Sequence, residues 1–289
     1  MRVLRRGPVR CGFVFHLTTT TEETCMAISL KNLKSSRSKM PPITLIYGVD
    51  GIGKTSLAAE WPEPLYMPTE GQKTPSDIDL PSTDVISSWD DIENVFTELL
   101  TTEHDFKSVI IDSLGGIAPF IEAITAARIG AATVDDNSKG SPAAYGNGYK
   151  ESEVEWGTFM SGCEALSQAG INVVLLGHPE IKRFDDPLND PYDRYILKLN
   201  KRAAPLVREK CDIVAFLNYR ISLKEKEVAG RKTVAHAEGG KERQIHLSRG
   251  AGFDAKNRYS MPDAVTYKKG NGYKDLSKYW LGTTAAEAA

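Results

Sequence analysis

The sequence has little cysteine, no long apolar run and no excess of charge of one sign. It holds 4 cysteines in 289 residues. None of them forms a C-x-x-C pair or a zinc-binding spacing, which argues against a zinc ribbon or a dithiol redox centre. No stretch approaches the roughly 18 apolar residues of a membrane-spanning helix, so we expect no membrane association. The net charge of −2 argues against a uniformly basic coat for nucleic acid, although a local basic groove is compatible with it.

The composition is otherwise that of an ordinary soluble globular protein. Hydrophobic residues make up 41% and charged residues 26%, which is enough apolar sequence for a sizeable core. Sparse, unpaired cysteines are typical of a reducing compartment, and we therefore expect a cytoplasmic location.

One stretch matches the phosphate-binding pattern G-x-x-x-x-G-K-[ST] in every required position. It consists of Gly48, Val49, Asp50, Gly51, Ile52, Gly53, Lys54 and Thr55. The run 43–47 before it is apolar and β-branched, as in a buried parallel strand. Residues 56–60 after it favour a helix, which Pro62 would end. Strand, glycine loop and helix together distinguish this stretch from a chance glycine-rich turn.

The residue types of this loop predict how a nucleoside triphosphate would bind. Glycines allow the backbone to approach a phosphate closely, and backbone N–H groups then face the anion. Lys54 would reach the β- and γ-phosphates, and the hydroxyl of Thr55 would bind Mg²⁺. We therefore predict that residues 48–56, including Ser56, bind ATP together with Mg²⁺.

Three further polar residues follow predicted strands, at the edge where open parallel sheets bind ligands. Asp112 ends a β-branched run, the pattern of a strand that places a carboxylate in the Mg²⁺ shell. Glu70 follows the run 65–67 and could orient the attacking water, although a solvated loop glutamate would have the same spacing. His178 follows the run 171–177 and could contact the γ-phosphate, although a lone histidine is more often structural.

The segment 179–202 combines basic and aromatic residues. This combination suits single-stranded nucleic acid, because cations neutralise the backbone and rings stack on bases. The candidate DNA-contacting residues are Lys182, Arg183, Phe184, Arg194, Tyr195, Lys198, Lys201 and Arg202. A solvated surface hairpin would explain the same composition. Farther along, Lys256 or Arg258 could supply positive charge to a γ-phosphate, in the same chain or in a neighbour's site, with surface charge as the simpler interpretation.

Apolar spacing predicts helices over residues 90–100, 115–127 and 151–167. Ser88 is the expected N-cap of the first of them, with acidic residues in the first turn. Pro119 is expected in the first turn of the second, where the missing N–H of proline is tolerated.

The chain divides into three segments of different composition. Residues 1–39 are basic and are predicted to be a disordered tail, and the sequence at Met26 suggests that translation begins there. Residues 40–221 are predicted to form a P-loop core, an α/β fold with a mostly parallel β-sheet flanked by helices. Residues 222–289 alternate short β-like runs with turns and predict a β-rich extension packed on the core.

The order of these elements resembles the RecA family. Glu70, the pair Asp112-Ser113 and His178 resemble the catalytic glutamate, the Walker B pair and the phosphate sensor of that family, which usually carries glutamine at the sensor position. The segments 130–150 and 179–202 resemble, by their place in the chain, the two DNA-binding loops of that family.

From about residue 40 onward, the chain is also similar to phage-encoded RecA-like nucleotide-binding proteins, small ATPases tied to single-strand annealing and phage recombination. The similar segments are 64–71, 148–150, 177–178, 182–187, 192–195 and 255–259. The resemblance implies single-stranded DNA as a partner, and with it a single-strand-binding protein, self-assembly into a homo-oligomer and a place in the host cytoplasm.

The preferred interpretation is a Mg²⁺-dependent, RecA-like ATPase, stimulated by single-stranded DNA, that acts in recombination, annealing or replication. Two other classes stay open. A P-loop kinase would transfer a phosphoryl group to a small molecule or nucleotide, and no arginine-rich lid is visible that would favour it. A non-hydrolysing nucleotide switch would bind ATP and recruit replication proteins.

Overall fold

In the computed structural model of the protein, the described residues are 40–69, 73–185, 190–228 and 232–281, without the side chains of residues 221–239. The predictions made for the basic tail, for a start at Met26 and for Glu70 lie outside these residues.

The described strands form one eight-stranded sheet and one two-stranded sheet. The strands are β1 (Ile43–Gly48), β2 (Pro64–Pro68), β3 (Ser108–Asp112), β4 (Asn172–Gly177), β5 (Pro179–Phe184), β6 (Tyr192–Leu197), β7 (Ile213–Val228), β8 (Lys232–His246), β9 (Lys256–Asn257) and β10 (Ala264–Tyr267). The large sheet has the order β10-β8-β7-β1-β4-β3-β2, and β9 pairs with β7. The neighbours from β7 to β2 are parallel, whereas β8, β9 and β10 run antiparallel to their partners.

Helices cover both faces of the large sheet. They are α1 (Lys54–Ala58), α2 (Trp89–Thr101), α3 (Leu114–Ile129), α4 (Asn147–Glu151), α5 (Glu153–Gln168), α6 (Ala203–Lys210) and α7 (Gly272–Ser277). Buried residues of α2, α3, α5 and α6 belong to the core on one face, and those of α1 and α7 to the core on the other. The predicted fold class, an α/β core with a mostly parallel sheet flanked by helices, is confirmed. None of the described helices is long and apolar enough to span a bilayer.

The parallel strands are buried on both faces because nearly all of their residues are apolar. In β1, Tyr47 packs in the core under α2, α3, α5 and α6, whereas Ile46 packs in the core under α1 and α7. Continuous apolar runs of this kind are typical of parallel strands that helices cover on both sides. The register pairs Tyr47 with Gly177 and Asp112 with Leu176. The carboxyl ends of β1, β4 and β3 therefore meet at one edge of the sheet.

The helix-start signals in the sequence are confirmed at α2 and shifted at α3. The Ser88 side chain accepts a hydrogen bond from the Asp91 N–H at 3.2 Å, and the Asp91 carboxylate accepts one from the Ser88 N–H at 2.9 Å. This reciprocal pair is a capping box. Pro119 lies in the second turn of α3 rather than the first, because Ser113 takes the N-cap position and the helix begins at Leu114.

The segment 179–202 contains the antiparallel hairpin of β5 and β6. Pro179 pairs with Leu197 at its base. Next to this pair, the carbonyl of His178 accepts a hydrogen bond from the Lys198 N–H at 2.9 Å. The hairpin therefore starts at the carboxyl edge of the large sheet, directly after β4.

The C-terminal extension packs on α1 through Glu60, which follows this helix. The Glu60 carboxylate accepts hydrogen bonds from the Tyr267 hydroxyl at 2.9 Å and from the Gly270 N–H at 2.7 Å. It also accepts one from the Tyr273 N–H at 3.2 Å. Leu276 of α7 is buried in the same core as α1. The extension thus covers the face of the sheet on which the helix after the glycine loop lies.

Candidate nucleotide-binding site

The predicted phosphate-binding loop leaves β1 at Gly48 and enters α1 at Lys54. A Cβ on Gly48 would lie 2.1 Å from the carbonyl oxygen of Leu217 on β7, so the strands leave no room for a side chain. Gly53 has a φ of 99°, in the left-handed region that favours glycine. The two ends of the loop therefore require glycine for different reasons, one of space and one of backbone conformation.

Lys54 folds back over the loop. Its Nζ donates hydrogen bonds to the carbonyls of Gly48 at 2.9 Å and Val49 at 3.3 Å, and it lies 3.8 Å from the Asp50 carboxylate. The side chain is 10% exposed. Burial lowers the pKa of Lys54, and the negative charges of Asp50 and Asp112 oppose that shift. The loop thus holds a partly buried cation, which the sequence predicts to face the β- and γ-phosphates.

Asp112 ends β3 beside the loop and accepts hydrogen bonds from two other elements. Thr55 of α1 and Tyr66 of β2 each donate a hydroxyl to Asp112 Oδ2, both at 3.0 Å. Burial, followed by the charge of Asp112, raises the pKa of Tyr66, so its hydroxyl keeps its proton as a donor. Thr55 and Asp112 supply oxygen ligands of the kind that Mg²⁺ prefers, and substrate phosphates and waters usually complete such a shell. The structure brings the two predicted metal ligands together.

Thr69 holds the backbone around Asp112. Its hydroxyl donates to the Asp112 carbonyl at 2.9 Å and accepts a hydrogen bond from the Ser113 N–H at 2.8 Å. The peptide bond between Asp112 and Ser113 is cis. These contacts join the carboxyl ends of β2 and β3. Glu70 follows Thr69 directly but lies outside the described residues, so its role in orienting water stays a prediction.

His178 contacts the glycine loop through Asp50. Its Nδ1 lies 3.0 Å from the Asp50 carboxylate. The hydrogen bond with His178 lowers the pKa of Asp50, and the nearby charge of Lys54 acts in the same direction. The structure therefore places His178 at the loop, while its contact with a γ-phosphate stays a prediction.

The eight candidate DNA-contacting residues divide into an exposed group and a packed group. The exposed group consists of Lys182, Arg183, Lys198, Lys201 and Arg202. The packed group consists of Phe184, Arg194 and Tyr195. The exposed group is available to a nucleic acid, although Arg202 also donates a hydrogen bond to Glu153 at 2.7 Å.

Arg194 and its aromatic neighbours attach the hairpin to the core. Arg194 is 4% exposed and forms an ion pair with Asp254. Its guanidinium lies 5.0 Å from the ring centre of Phe184, and the ring of Tyr195 lies 5.2 Å from that of Phe216. Arg194, Phe184 and Tyr195, which suggest base stacking in the sequence, instead pack within the hairpin and against the core. The structure does not leave Arg194 free to contact DNA.

Lys256 and Arg258 lie away from the glycine loop. Lys256 pairs in β9 with Val214, near the amino end of β7, and its Nζ donates to the carbonyl of Arg208 at 2.7 Å. Arg258 donates to Asp212, just before β7, at 3.1 Å. The structure does not bring these cations to the phosphate loop of the same chain, because that loop is at the carboxyl edge. A role in a neighbour's site stays a prediction.

Two residues at the site are not anticipated by sequence reasoning. Tyr66 lies within an apolar run, where a tyrosine is expected as part of the core. Arg243 lies on β8 and approaches Gly53, with its Nη1 2.8 Å from the position that a Cβ on Gly53 would occupy. Neither belongs to a motif, and only the pairing of strands brings them to the loop.

Fold and loop together define a P-loop nucleotide-binding protein. The chain belongs to the family described as "AAA domain", whose sequence profile matches residues 40–259. No curated protein matches the sequence. Among solved structures, the crystal structure of the RadB recombinase is similar, with a TM-score of 0.42 and 13% identity over 79% of this chain and 88% of that chain. Likeness of this degree is too low to transfer an activity.

The packed role of Arg194 makes a prediction about stability. The Asp254 carboxylate is paired with both Arg194 and Arg208. Arg194→Ala removes the more deeply buried of these two cations, so we expect the free energy of unfolding to fall by about 3 kcal/mol in urea denaturation. Lys182→Ala, at an exposed position of the same hairpin, should change it by less than about 0.5 kcal/mol. Equal effects of the two variants would contradict the structural role of Arg194.

Proposed function

We propose that the protein is a Mg²⁺-dependent ATPase that acts on single-stranded DNA in recombination, annealing or replication. The observation that carries the proposal is the meeting of Lys54, Thr55 and Asp112 at the carboxyl edge of the sheet, within hydrogen-bond or ion-pair distance of the glycine loop or of one another. A cation, a hydroxyl and a carboxylate beside such a loop are the parts that phosphoryl transfer from a nucleoside triphosphate requires.

Each of these residues has one task in the proposed reaction. Lys54 stabilises the negative charge that develops on the phosphates, and being partly buried it acts with less screening than an exposed lysine would. Thr55 and Asp112 hold the metal, while Tyr66 fixes the Asp112 carboxylate. Bound Mg²⁺ would neutralise charge on the β- and γ-phosphate oxygens. Glu70 is proposed to orient the attacking water.

The position of the β5–β6 hairpin supports a link between DNA and nucleotide. The hairpin begins directly after His178, which contacts Asp50 in the loop. Its exposed cations Lys182 and Arg183 lie on β5, about four residues along the chain from His178. A strand of DNA that displaces this hairpin would therefore act on His178 and, through Asp50, on the loop. The resemblance to phage-encoded RecA-like proteins adds self-assembly and a single-strand-binding protein as proposed partners.

ATP hydrolysis with and without single-stranded DNA tests the function. Lys54→Ala should lower Mg²⁺-dependent turnover by about two to three orders of magnitude, because it removes the cation that stabilises the transferred phosphoryl group. We expect DNA to stimulate the wild-type protein and not this variant. Lys107→Ala, which changes an exposed lysine before β3 at the opposite edge, is the matched control and should hydrolyse ATP at the wild-type rate.

Three results would contradict the proposal. Wild-type turnover in Lys54→Ala would rule out the loop as the active site. Turnover that DNA does not change, together with transfer of phosphate to an added small molecule, would indicate a kinase. ATP binding without any turnover would indicate a nucleotide switch.

The exposed basic residues of the hairpin make a separate prediction about DNA affinity. The double variant of Lys182→Ala and Arg183→Ala should weaken binding to single-stranded DNA, and the slope of log affinity against log salt should fall by about 1 for each lost phosphate contact. Lys210→Ala, at the far end of α6, is the control. Fluorescence anisotropy of a labelled oligonucleotide at several salt concentrations measures both quantities. An unchanged slope in the double variant would remove this hairpin from the DNA-binding surface.

A further inference from the structure

Arg243 reaches the glycine loop from the C-terminal part of the chain. It lies on β8, two residues before Ile245, which is buried in the core shared with α1. Because alternate residues of a strand share a face, Arg243 points to the side of the sheet on which α1 lies. Its Nη1 approaches to 2.8 Å the position that a Cβ on Gly53 would occupy. A side chain at position 53 would therefore displace the guanidinium.

The guanidinium of Arg243 has no anionic partner in the part of the chain that the structure describes. No carboxylate there lies within ion-pair distance of it, and it donates no hydrogen bond to those residues. Most other described arginines are paired, among them Arg128, Arg194, Arg202, Arg208, Arg220 and Arg258. Arg243 is also half-buried, so its charge is only partly solvated.

Two cations, Lys54 and Arg243, thus lie at one loop, and only Lys54 has a nearby carboxylate partner in the described chain. Lys54 is balanced by loop carbonyls and by Asp50. Arg243 adds a positive charge beside Gly53, at another part of the loop. Half-buried like charges that share a loop repel one another unless an anion lies between or beside them.

We propose that Arg243 binds the α- and β-phosphates of the nucleotide held by the glycine loop of the same chain. Loops of this pattern cradle these two phosphates with backbone N–H groups, and Gly53 is one of the residues of this loop. A guanidinium matches the geometry of two phosphate oxygens and is the side chain best suited to grip them. The inference rests on the proposed nucleotide site and adds a residue to it.

This assignment gives the C-terminal extension a role in nucleotide binding. β8 pairs with β7, which pairs with β1, so Arg243 is held two strands away from the loop strand by the sheet itself. The site is then complete only when β8 is in place. Arg243 contacts groups that ATP and ADP share, and it therefore contributes to affinity for both nucleotides rather than to discrimination between them.

Isothermal titration of ATP and ADP in the presence of Mg²⁺ tests the assignment. Arg243→Gln should weaken both nucleotides by about tenfold or more, as expected for the loss of a charge-assisted hydrogen bond. Arg243→Met keeps an unbranched apolar stem and should show the same loss, so it serves if the glutamine variant does not fold. Arg220→Gln, which changes an exposed arginine on β7, is the matched control and should bind both nucleotides as the wild type does.

The outcomes separate this inference from the proposed function. If the wild type binds nucleotide, Lys54→Ala weakens it and the Arg243 variants bind as tightly as the wild type, the Arg243 assignment is wrong and the proposed site stands. A loss confined to ATP would also overturn the assignment, because it would move Arg243 to the γ-phosphate. If the wild type binds neither nucleotide, the proposed function itself fails.

Discussion

The site depends on one buried carboxylate, that of Asp112. It lies at the carboxyl end of β3 and is only 4% exposed, so its charge must be compensated from within the protein. Thr55 and Tyr66 provide hydroxyl donors from the helix after the loop and from the neighbouring strand. The same contacts join α1, β2 and β3. A residue of the proposed metal site therefore also holds together α1, β2 and β3.

The charge balance of the loop explains why an anion should bind there. Lys54 is largely withdrawn from water, and Arg243 approaches the loop without a carboxylate partner in the described chain. The acidic groups nearby, Asp50 and Asp112, are engaged by His178 and by hydroxyl groups. The glycines of the loop add backbone N–H donors and have no side chains that would obstruct an anion. A phosphate chain with its metal would satisfy the cations, the carboxylate and the backbone donors together.

Local parts of the site could be predicted from sequence, and nonlocal parts could not. The loop and Asp112 follow strands whose apolar runs are unambiguous, and the parallel register then fixes where their ends lie. Composition does not distinguish a cation that packs on an aromatic ring of its own hairpin, as Arg194 does on Phe184, from one that contacts a nucleic acid base. Tyr66 and Arg243 carry no motif. Their positions follow from which strands pair, and a single sequence does not state that pairing.

The most direct test of the account is a crystal structure with Mn²⁺ in place of Mg²⁺ and a non-hydrolysable ATP analogue. The anomalous signal of Mn²⁺ locates the metal independently of the fold. We expect one peak at about 2 Å from Thr55 Oγ1, on the side facing Asp112, with the phosphates along residues 48–56. A metal or a triphosphate bound away from this loop would contradict the central claim that the loop and Asp112 form one nucleotide site.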